Sequence, residues 1–229
     1  LMIAADGGNS WLREQAGLTQ QKTVYEHVGV VANFEVELPH QHIARQWFVD
    51  DGVMAWLPSA GNRISMVFST KYSQNLMALS PTELAEQVAQ AGGNVLGKMH
   101  CITPAVAFPL VKQKASALIS NRLVLAGDAA HQVHPMAGQG ANLGFRDVIG
   151  LESLIAGAHV MQDIGEFSFL RPYERARKAD VLSMNTLTSG LDTLFALELP
   201  AIKKITNFGM QQLDKHASIK NVLIQQAIA

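Results

Sequence analysis

One cysteine in 229 residues, Cys101, excludes an internal disulfide and fits a reducing compartment. With no further Cys or His in metal-ligand spacing around it, Cys101 reads as a small buried hydrophobe, and no metal is expected. A charge surplus is lacking as well. Lys and Arg number 18 against 19 Asp and Glu, and a net charge of −1 argues against an electrostatic nucleic-acid binder. No apolar run reaches the ~18 residues of a membrane span. No secretory signal, repeat or low-complexity tract is visible. These absences lead to the expectation of a cytoplasmic protein, with a peripheral membrane or partner contact left open. What is present is a hydrophobic content of 48%, enough over 229 residues for one large domain or two smaller ones with a real core.

The richest stretch is 123–145. An apolar strand, Leu123 to Ala126, ends in Gly127-Asp128. A loop with His131, His134 and Pro135 follows, and Gly138-Gln139-Gly140 opens a long apolar-periodic segment that reads as a helix. A carboxylate at a strand end can accept a hydrogen bond from a sugar-like hydroxyl. Glycines at a helix start let a ligand reach bare backbone N–H groups, which lack intrahelical partners and favour an anion. The pair suits a ligand with a polyol chain and a ring that becomes negative, as reduced flavin does.

Gly127-Asp128-Ala-Ala-His131, Pro135 and Gly138-Gln139-Gly140-Ala141-Asn142 resemble the second flavin motif of aromatic-ring flavoprotein monooxygenases, in particular the ubiquinone-biosynthesis hydroxylase group. Ala5-Asp6-Gly7-Gly8-Asn9-Ser10-Trp11-Leu12-Arg13 resembles the Asp-Gly motif of the same enzymes, and Phe108-Pro109-Leu110 and Tyr173…Arg177 also fit. The resemblance implies that Asp128 contacts the ribityl chain of FAD and that the N–H groups near Gly140, Ala141 and Asn142 face the flavin pyrimidine edge. Gly127, Gly138 and Gln139 shape that turn. It further implies that Pro135 lies beside the flavin ring, that His131 orders the loop, and that Asp6, Gly7 and Arg13 position FAD or the nicotinamide nucleotide. Taken from the residues alone, Asp6 could simply cap the helix at Trp11, and Arg13 could either pair with Asp6 or approach a phosphate. The implied activity is hydroxylation of a phenolic, polyprenylated ubiquinone precursor through a flavin C4a-hydroperoxide, with NAD(P)H and O₂ as co-substrates. The alternatives are a reductase or halogenase on the same scaffold, or a non-catalytic piece that binds lipid or a partner without FAD.

The strand–Gly-x-Gly-x-x-Gly–helix unit that opens such enzymes, and holds the pyrophosphate, does not occur in this sequence. The chain is therefore expected to be the C-terminal part of a longer protein. By itself it should bind FAD weakly or not at all and should be inactive. It should expose apolar surface on the strands Leu1–Ala5 and Leu123–Ala126, and self-associate.

The expected fold is α+β or α/β: a partial FAD-binding domain, an inserted antiparallel sheet as substrate domain, and C-terminal helices. The expected boundaries are 1–22, 23–112, 113–165 and 166–229. Strands are expected at 1–5, 28–36, 44–49, 53–57 (stopped by Pro58), 64–68, 105–111 and 115–119, with a hairpin turn at Ala60-Gly61-Asn62. Trp47, Phe48, Met54, Trp56, Met66 and Phe68 should be largely core, with some on the opposite sheet face. Asn9 or Ser10 should cap a helix from Trp11 to Ala16. Ser80-Pro81-Thr82-Glu83 should start a helix buried along Leu84, Val88 and Ala91 and ended by Gly92-Gly93. A helix from Gly140 to Ile155 should bury Ala141, Gly144, Phe145, Val148, Leu151 and Ile155. Helix is expected again from Phe167 to Leu187, interrupted near Pro172, and from Leu191 to Ala229. The basic run Arg171, Arg175, Arg177 and Lys178 reads as a solvated face, with a membrane or partner contact as the alternative.

Overall fold

The computed structural model describes residues 1–49, 52–133 and 140–196, with side chains through Ser183. The chain divides into two compact units, Leu1–Thr23 with Lys112–Ala229, and Val24–Val111. It passes between them in two long strands.

The first unit begins with β1 (Met2–Ala4) and the short helix α1 (Trp11–Gln15), whose first turn is closed by Ser10 accepting the Arg13 N–H. Strand β2 (Gln20–Val36) leaves this unit and enters the second. It starts eight residues before the expected Val28, because residues 20–27 carry a polar, exposed pattern that offers no alternation signal.

In the second unit β3 (Arg45–Val49), β4 (Gly52–Ser59) and β5 (Arg63–Thr70) form an antiparallel meander beside β2, in the order β2-β5-β4-β3. The register puts Val30, Phe68, Met54 and Trp47 in one row, and Ala32, Met66 and Trp56 in the next. The expected turn at Ala60-Gly61-Asn62 joins β4 to β5, with Gly61 at φ +68°. Pro58 does not stop β4, which pairs with β5 through Ser59. Beyond Trp56 the strand has no partner on the β3 side, and a proline whose nitrogen faces an open side removes no ladder bond.

Helices α2 (Ser73–Met77) and α3 (Pro81–Ala91) cover one face of this sheet. The capping box at Ser80 and Glu83 is formed in both directions. The buried stripe of α3 is Leu84, Ala85, Val88 and Ala89, while Ala91, expected inside, is exposed. Gly92 ends the helix against Trp56, where an added methyl group would collide with the indole ring. The core here is Phe34, Met54, Trp56, Ile64, Met66 and Leu96, each at most 1% exposed. Trp47 stacks obliquely on Trp56 at 4.4 Å between ring centres. Phe48 points the other way and is exposed.

Strand β6 (Met99–Cys101) pairs with β2, and β7 (Val106–Ala115) carries the chain back into the first unit, overrunning the expected end at residue 111; of the second expected strand, 115–119, only Ala115 and Ile119 lie in strands. Strands β8 (Ile119–Ser120) and β9 (Leu123–Leu125) then complete a three-stranded sheet in the order β1-β9-β8, with β1 and β9 parallel. A 3₁₀ turn at Gly127–Ala129 leads to β10 (His131–Gln132), paired with the end of β7. Two helices close the unit, α4 (Gly140–Ala156) and α5 (Phe167–Ala196).

Three expectations fail in this unit. Leu123, Val124 and Leu125 are buried, so only β1, at Met2 and Ile3, presents the predicted apolar surface. Helix α5 runs straight through Pro172: a proline in the second turn removes one intrahelical bond, and Leu170, Tyr173 and Arg177 are buried on either side of it. On α4 the buried residues are Leu143, Asp147 and Leu151, spaced four apart, while Phe145 and Val148 are exposed. Of the expected stripe Leu151 is buried, and Val148, Leu151 and Ile155 border an open groove of about 430 Å³ also lined by Ile3 and Ala126. The expected helix beyond Ala196 lies outside the described residues.

Candidate cofactor site at the strand ends

The parallel register Ala4↔Leu125 brings the two sequence motifs together. Asp6-Gly7 follows β1, and Gly127-Asp128 follows β9, at the same carboxyl end of the pair. In open α/β sheets this end is where ligands bind.

Arg13 ties the two loops. Its side chain is 1% exposed, and it donates from Nη1 to the Ala129 carbonyl at 2.9 Å and from Nη2 to the Gly8 carbonyl at 3.0 Å. Both bonds go to backbone oxygens, so neither the Asp6 pair nor a phosphate is what these donors meet here. Gln113 adds a 2.6 Å bond from Nε2 to the same Gly8 carbonyl. A Cβ added at Gly8 would lie 2.9 Å from Gln132 Nε2, so that side-chain amide would have to shift to make room.

Asp6 is exposed and accepts the Leu12 N–H at 3.2 Å. Its bond with the Ser10 hydroxyl, the largest influence, together with backbone N–H groups of the first turn outweighs the upward push of burial and holds its carboxyl below the usual range. It is thus an ionised group at the start of α1. Asp128 is also exposed, and Gln132 Nε2 donates to its Oδ2 at 2.9 Å. Gly7 and Gly127 adopt φ +85° and +60°, and an added Cβ at either, or at Gly140, would meet nothing within 4 Å. Ala141 is exposed, and Gly140 and Asn142 are half-buried. Two exposed carboxylates, open glycines and the start of a 17-residue helix therefore belong to one unit. These features fit a ligand that brings hydroxyls to Asp128 and an electron-rich edge to the helix start.

Beneath the loop lies a group that sequence reasoning missed. Asp147 is fully buried. Its Oδ2 accepts the Gly127 N–H at 2.8 Å, and its Oδ1 accepts Arg177 Nε at 2.6 Å. His131 Nε2 lies 2.9 Å from Asp147 Oδ2, within ion-pair range but outside hydrogen-bond alignment. Burial pushes the Asp147 carboxyl up, yet His131, Arg177 and the Gly127 N–H outweigh it and hold the group below the usual range. Arg177, expected on a solvated face, is 6% exposed and also binds the Leu143 carbonyl and Asp180. Tyr173, one turn earlier, donates its hydroxyl to the Leu125 carbonyl at 2.9 Å, and burial pushes that hydroxyl well up. The signal available in the sequence was an acidic residue four from both Leu143 and Leu151 on an otherwise apolar stripe.

Pro135, Gly138, Gln139 and His134 lie outside the described residues. Cys101 is half-buried, donates to the Thr103 carbonyl at 3.0 Å, and has its thiol pushed up by burial. Among the described residues no cluster of His, Cys, Asp and Glu could hold a metal, and no helix is long and apolar enough to cross a membrane.

The family model described as "FAD binding domain" matches residues 1–186. This chain belongs to that family. Ubiquinone hydroxylase UbiL of Rhodospirillum rubrum is 32% identical, with 100% of this chain and 54% of the relative covered. The 3-demethoxyubiquinol 3-hydroxylase of Escherichia coli is 30% identical over 100% of this chain and 59% of its own length. The chain spans about half the length of these curated relatives. Among solved structures, p-nitrophenol 4-monooxygenase PnpA from Pseudomonas putida shares the fold at a TM-score of 0.73 and 19% identity, covering 98% of this chain and 58% of that one.

Proposed function

We propose that this chain forms the ring-side part of an FAD-dependent monooxygenase that hydroxylates a phenolic ring, with a polyprenylated ubiquinone precursor as substrate and NAD(P)H and O₂ as co-substrates. The observation that carries the reading is the meeting of Asp6-Gly7 and Gly127-Asp128 at one end of a parallel strand pair, in a chain 30–32% identical to two ubiquinone-pathway hydroxylases along its whole length.

FAD, when bound, would relay reducing equivalents from NAD(P)H and activate oxygen; the protein supplies binding, orientation and electrostatics. Asp128 accepts hydrogen bonds from ribityl hydroxyls. Gly140, Ala141 and Asn142 present N–H groups to the pyrimidine edge, where the helix end favours the charge of the reduced ring. Gly127 leaves its turn open, and Gly138 and Gln139 are assigned to the cofactor by the resemblance of their stretch to the second flavin motif. Asp6 and Gly7 flank the cofactor from β1, and Arg13 keeps the two loops in register. Pro135 borders the ring, and His131 orders the loop.

The test uses the full-length protein. Purified protein should show a flavin absorbance spectrum, and with NAD(P)H and a prenylated phenol it should yield a product heavier by one oxygen. Asp128→Ala should weaken FAD binding by roughly 1.5–3 kcal/mol, the worth of one hydrogen bond to a charged group. A colourless protein with no affinity for FAD would overturn the reading, as would NAD(P)H oxidation without ring hydroxylation for every prenylated phenol tried.

A further inference from the structure

Asp147 does nothing in the scheme above, yet it is the most fully enclosed carboxylate among the described residues. Stripping a carboxylate of water is expensive unless every lone pair is answered. Here hydrogen bonds come from two separate segments, Gly127 in the loop after β9 and Arg177 on α5, and the His131 ring of β10 lies within ion-pair range of the same oxygen that Gly127 meets. Arg177 is fixed in turn by the Leu143 carbonyl and by Asp180, so the carboxylate cannot swing.

What this carboxylate holds is the loop that carries Asp128. Gly127 takes φ +60° with its N–H bonded to Asp147, while the next side chain, Asp128, is exposed. One turn before Asp147, Gly144 faces the same residue: a Cβ built there would lie 3.4 Å from Gly127 Cα. Helix α4 thus touches the loop at Gly144 and is bonded to it at Asp147, and the same helix begins at Gly140.

We propose that Asp147, clamped by Arg177, is a positioning residue that fixes the Asp128 loop against the first turn of α4. It thereby sets the spacing between the carboxylate that takes ribityl hydroxyls and the N–H groups that take the pyrimidine edge. The inference rests on the flavin reading of Asp128 and α4. The chemistry requires two acceptor oxygens. An asparagine offers one, and its amide NH₂ would confront either the Gly127 N–H or the Arg177 Nε–H, both donors.

The experiment is a double-variant cycle in the full-length protein, with FAD dissociation constants from flavin fluorescence and thermal unfolding of the apoprotein. Asp147→Asn should weaken FAD binding about tenfold or more, equivalent to ~1.4 kcal/mol. Asp128→Ala should weaken it as well. The combined variant should lose less than the product of the two, because a displaced Asp128 has little contact left to remove. A purely structural role predicts simple multiplication and overturns the proposal. Unchanged FAD affinity in folded Asp147→Asn overturns it too. Where Asp147→Asn does not fold, Arg177→Lys decides: lysine keeps the charge but cannot bridge Asp147, Asp180 and the Leu143 carbonyl together. Weakened FAD binding with the same non-additivity supports the proposal, and parental affinity refutes it. If Asp128→Ala alone leaves FAD affinity unchanged, the flavin reading itself falls and takes the inference with it. A loss in Asp128→Ala with none in Asp147→Asn overturns the inference alone.

Discussion

Both units bury an apolar core, but they differ in the polar groups buried with it. Among the described residues of Val24–Val111 the buried polar ones are His40, Thr70 and Ser73, and the interior is a continuous apolar body around Trp56, Phe34, Met54 and Met66. In the other unit two arginines, Arg13 and Arg177, and one aspartate, Asp147, are buried beside Ala4, Val124 and Leu125. The apolar body gains from area removed from water, which is non-directional and tolerant of small shifts. The ionic interior gains only if each donor meets its acceptor, and it fails sharply when one is removed. The directional interior lies under the loops assigned to the cofactor. A binding site needs atoms held to a fraction of an ångström, and hydrogen bonds specify position where burial does not.

The largest expected effect falls on the apolar unit. Trp56→Ala removes the largest fully buried side chain and should cost ~3–5 kcal/mol by cavity formation. Amide hydrogen exchange should report that loss in β4 and β5, leaving Leu123–Leu125 protected. Equal loss of protection in both places would mean that the units unfold as one body and that the contrast drawn here has no thermodynamic counterpart.

Next comes Arg13→Leu, which keeps an apolar stem but removes the donors to Gly8 and Ala129. Hydrogen bonds from a charged group are worth ~1.5–3 kcal/mol, and the buried Ala129 carbonyl loses this donor, while the Gly8 carbonyl keeps Gln113. The melting temperature should fall. Susceptibility to proteolysis should rise in the Asp6–Ser10 and Gly127–Ala130 loops, and no comparable change should appear in unit two. A melting temperature at the parental value would mean that Arg13 does not join these loops in solution.

Much of this contrast could be seen in the sequence, unevenly. The alternation in Ile64, Met66 and Phe68 and the Ser80…Glu83 capping box announce their elements because the signal lies within a few residues. The same holds for the site loops: Gly127-Asp128 and Asp6-Gly7 stand out as strand-ending turns. What joins them does not. The pairing of Asp147 with Arg177 spans 30 residues, and both look locally like solvent-facing charges. The face of α4 was misjudged for the same reason, since its most apolar stripe borders a groove and its buried stripe contains an aspartate. Pro58 and Pro172 were overweighted because their effect depends on neighbours, an unflanked strand end in one case and buried anchors in the other.

Acid should separate the units by a smaller margin. The Asp147 carboxyl is held low in the folded protein, so its charge stabilises the fold at pH above the unfolded carboxylate value of about 3.9. That contribution is lost as pH falls through the lower folded value, because protonation must then break the Gly127 and Arg177 bonds. Glu174, where burial is outweighed by Lys178 and the Leu118 N–H, acts in the same direction in the same unit. In the apolar unit the lowered carboxyls are Glu26 and Glu83, both exposed, and they add little. Hydrogen exchange between pH 5 and 3 should therefore show α4 and α5 loosening before β4 and β5. The reverse order would refute the assignment of the ionic interior.

The smallest effect on the fold should be the most informative about the site. Gly140→Val puts a β-branched side chain at the start of α4, where an added Cβ meets nothing within 4 Å. Valine costs less than ~1 kcal/mol relative to the best helix formers at one position, and glycine is itself a poor one, so thermal stability should barely move or even rise. FAD binding in the full-length protein should nevertheless weaken, because the methyl groups would occupy the space through which a ring edge reaches the N–H groups of Ala141 and Asn142. Melting temperature and FAD affinity measured on the same preparation separate the two effects. A stable variant with parental affinity would show that the space at Gly140 is only solvent, and that the helix start does not meet the flavin.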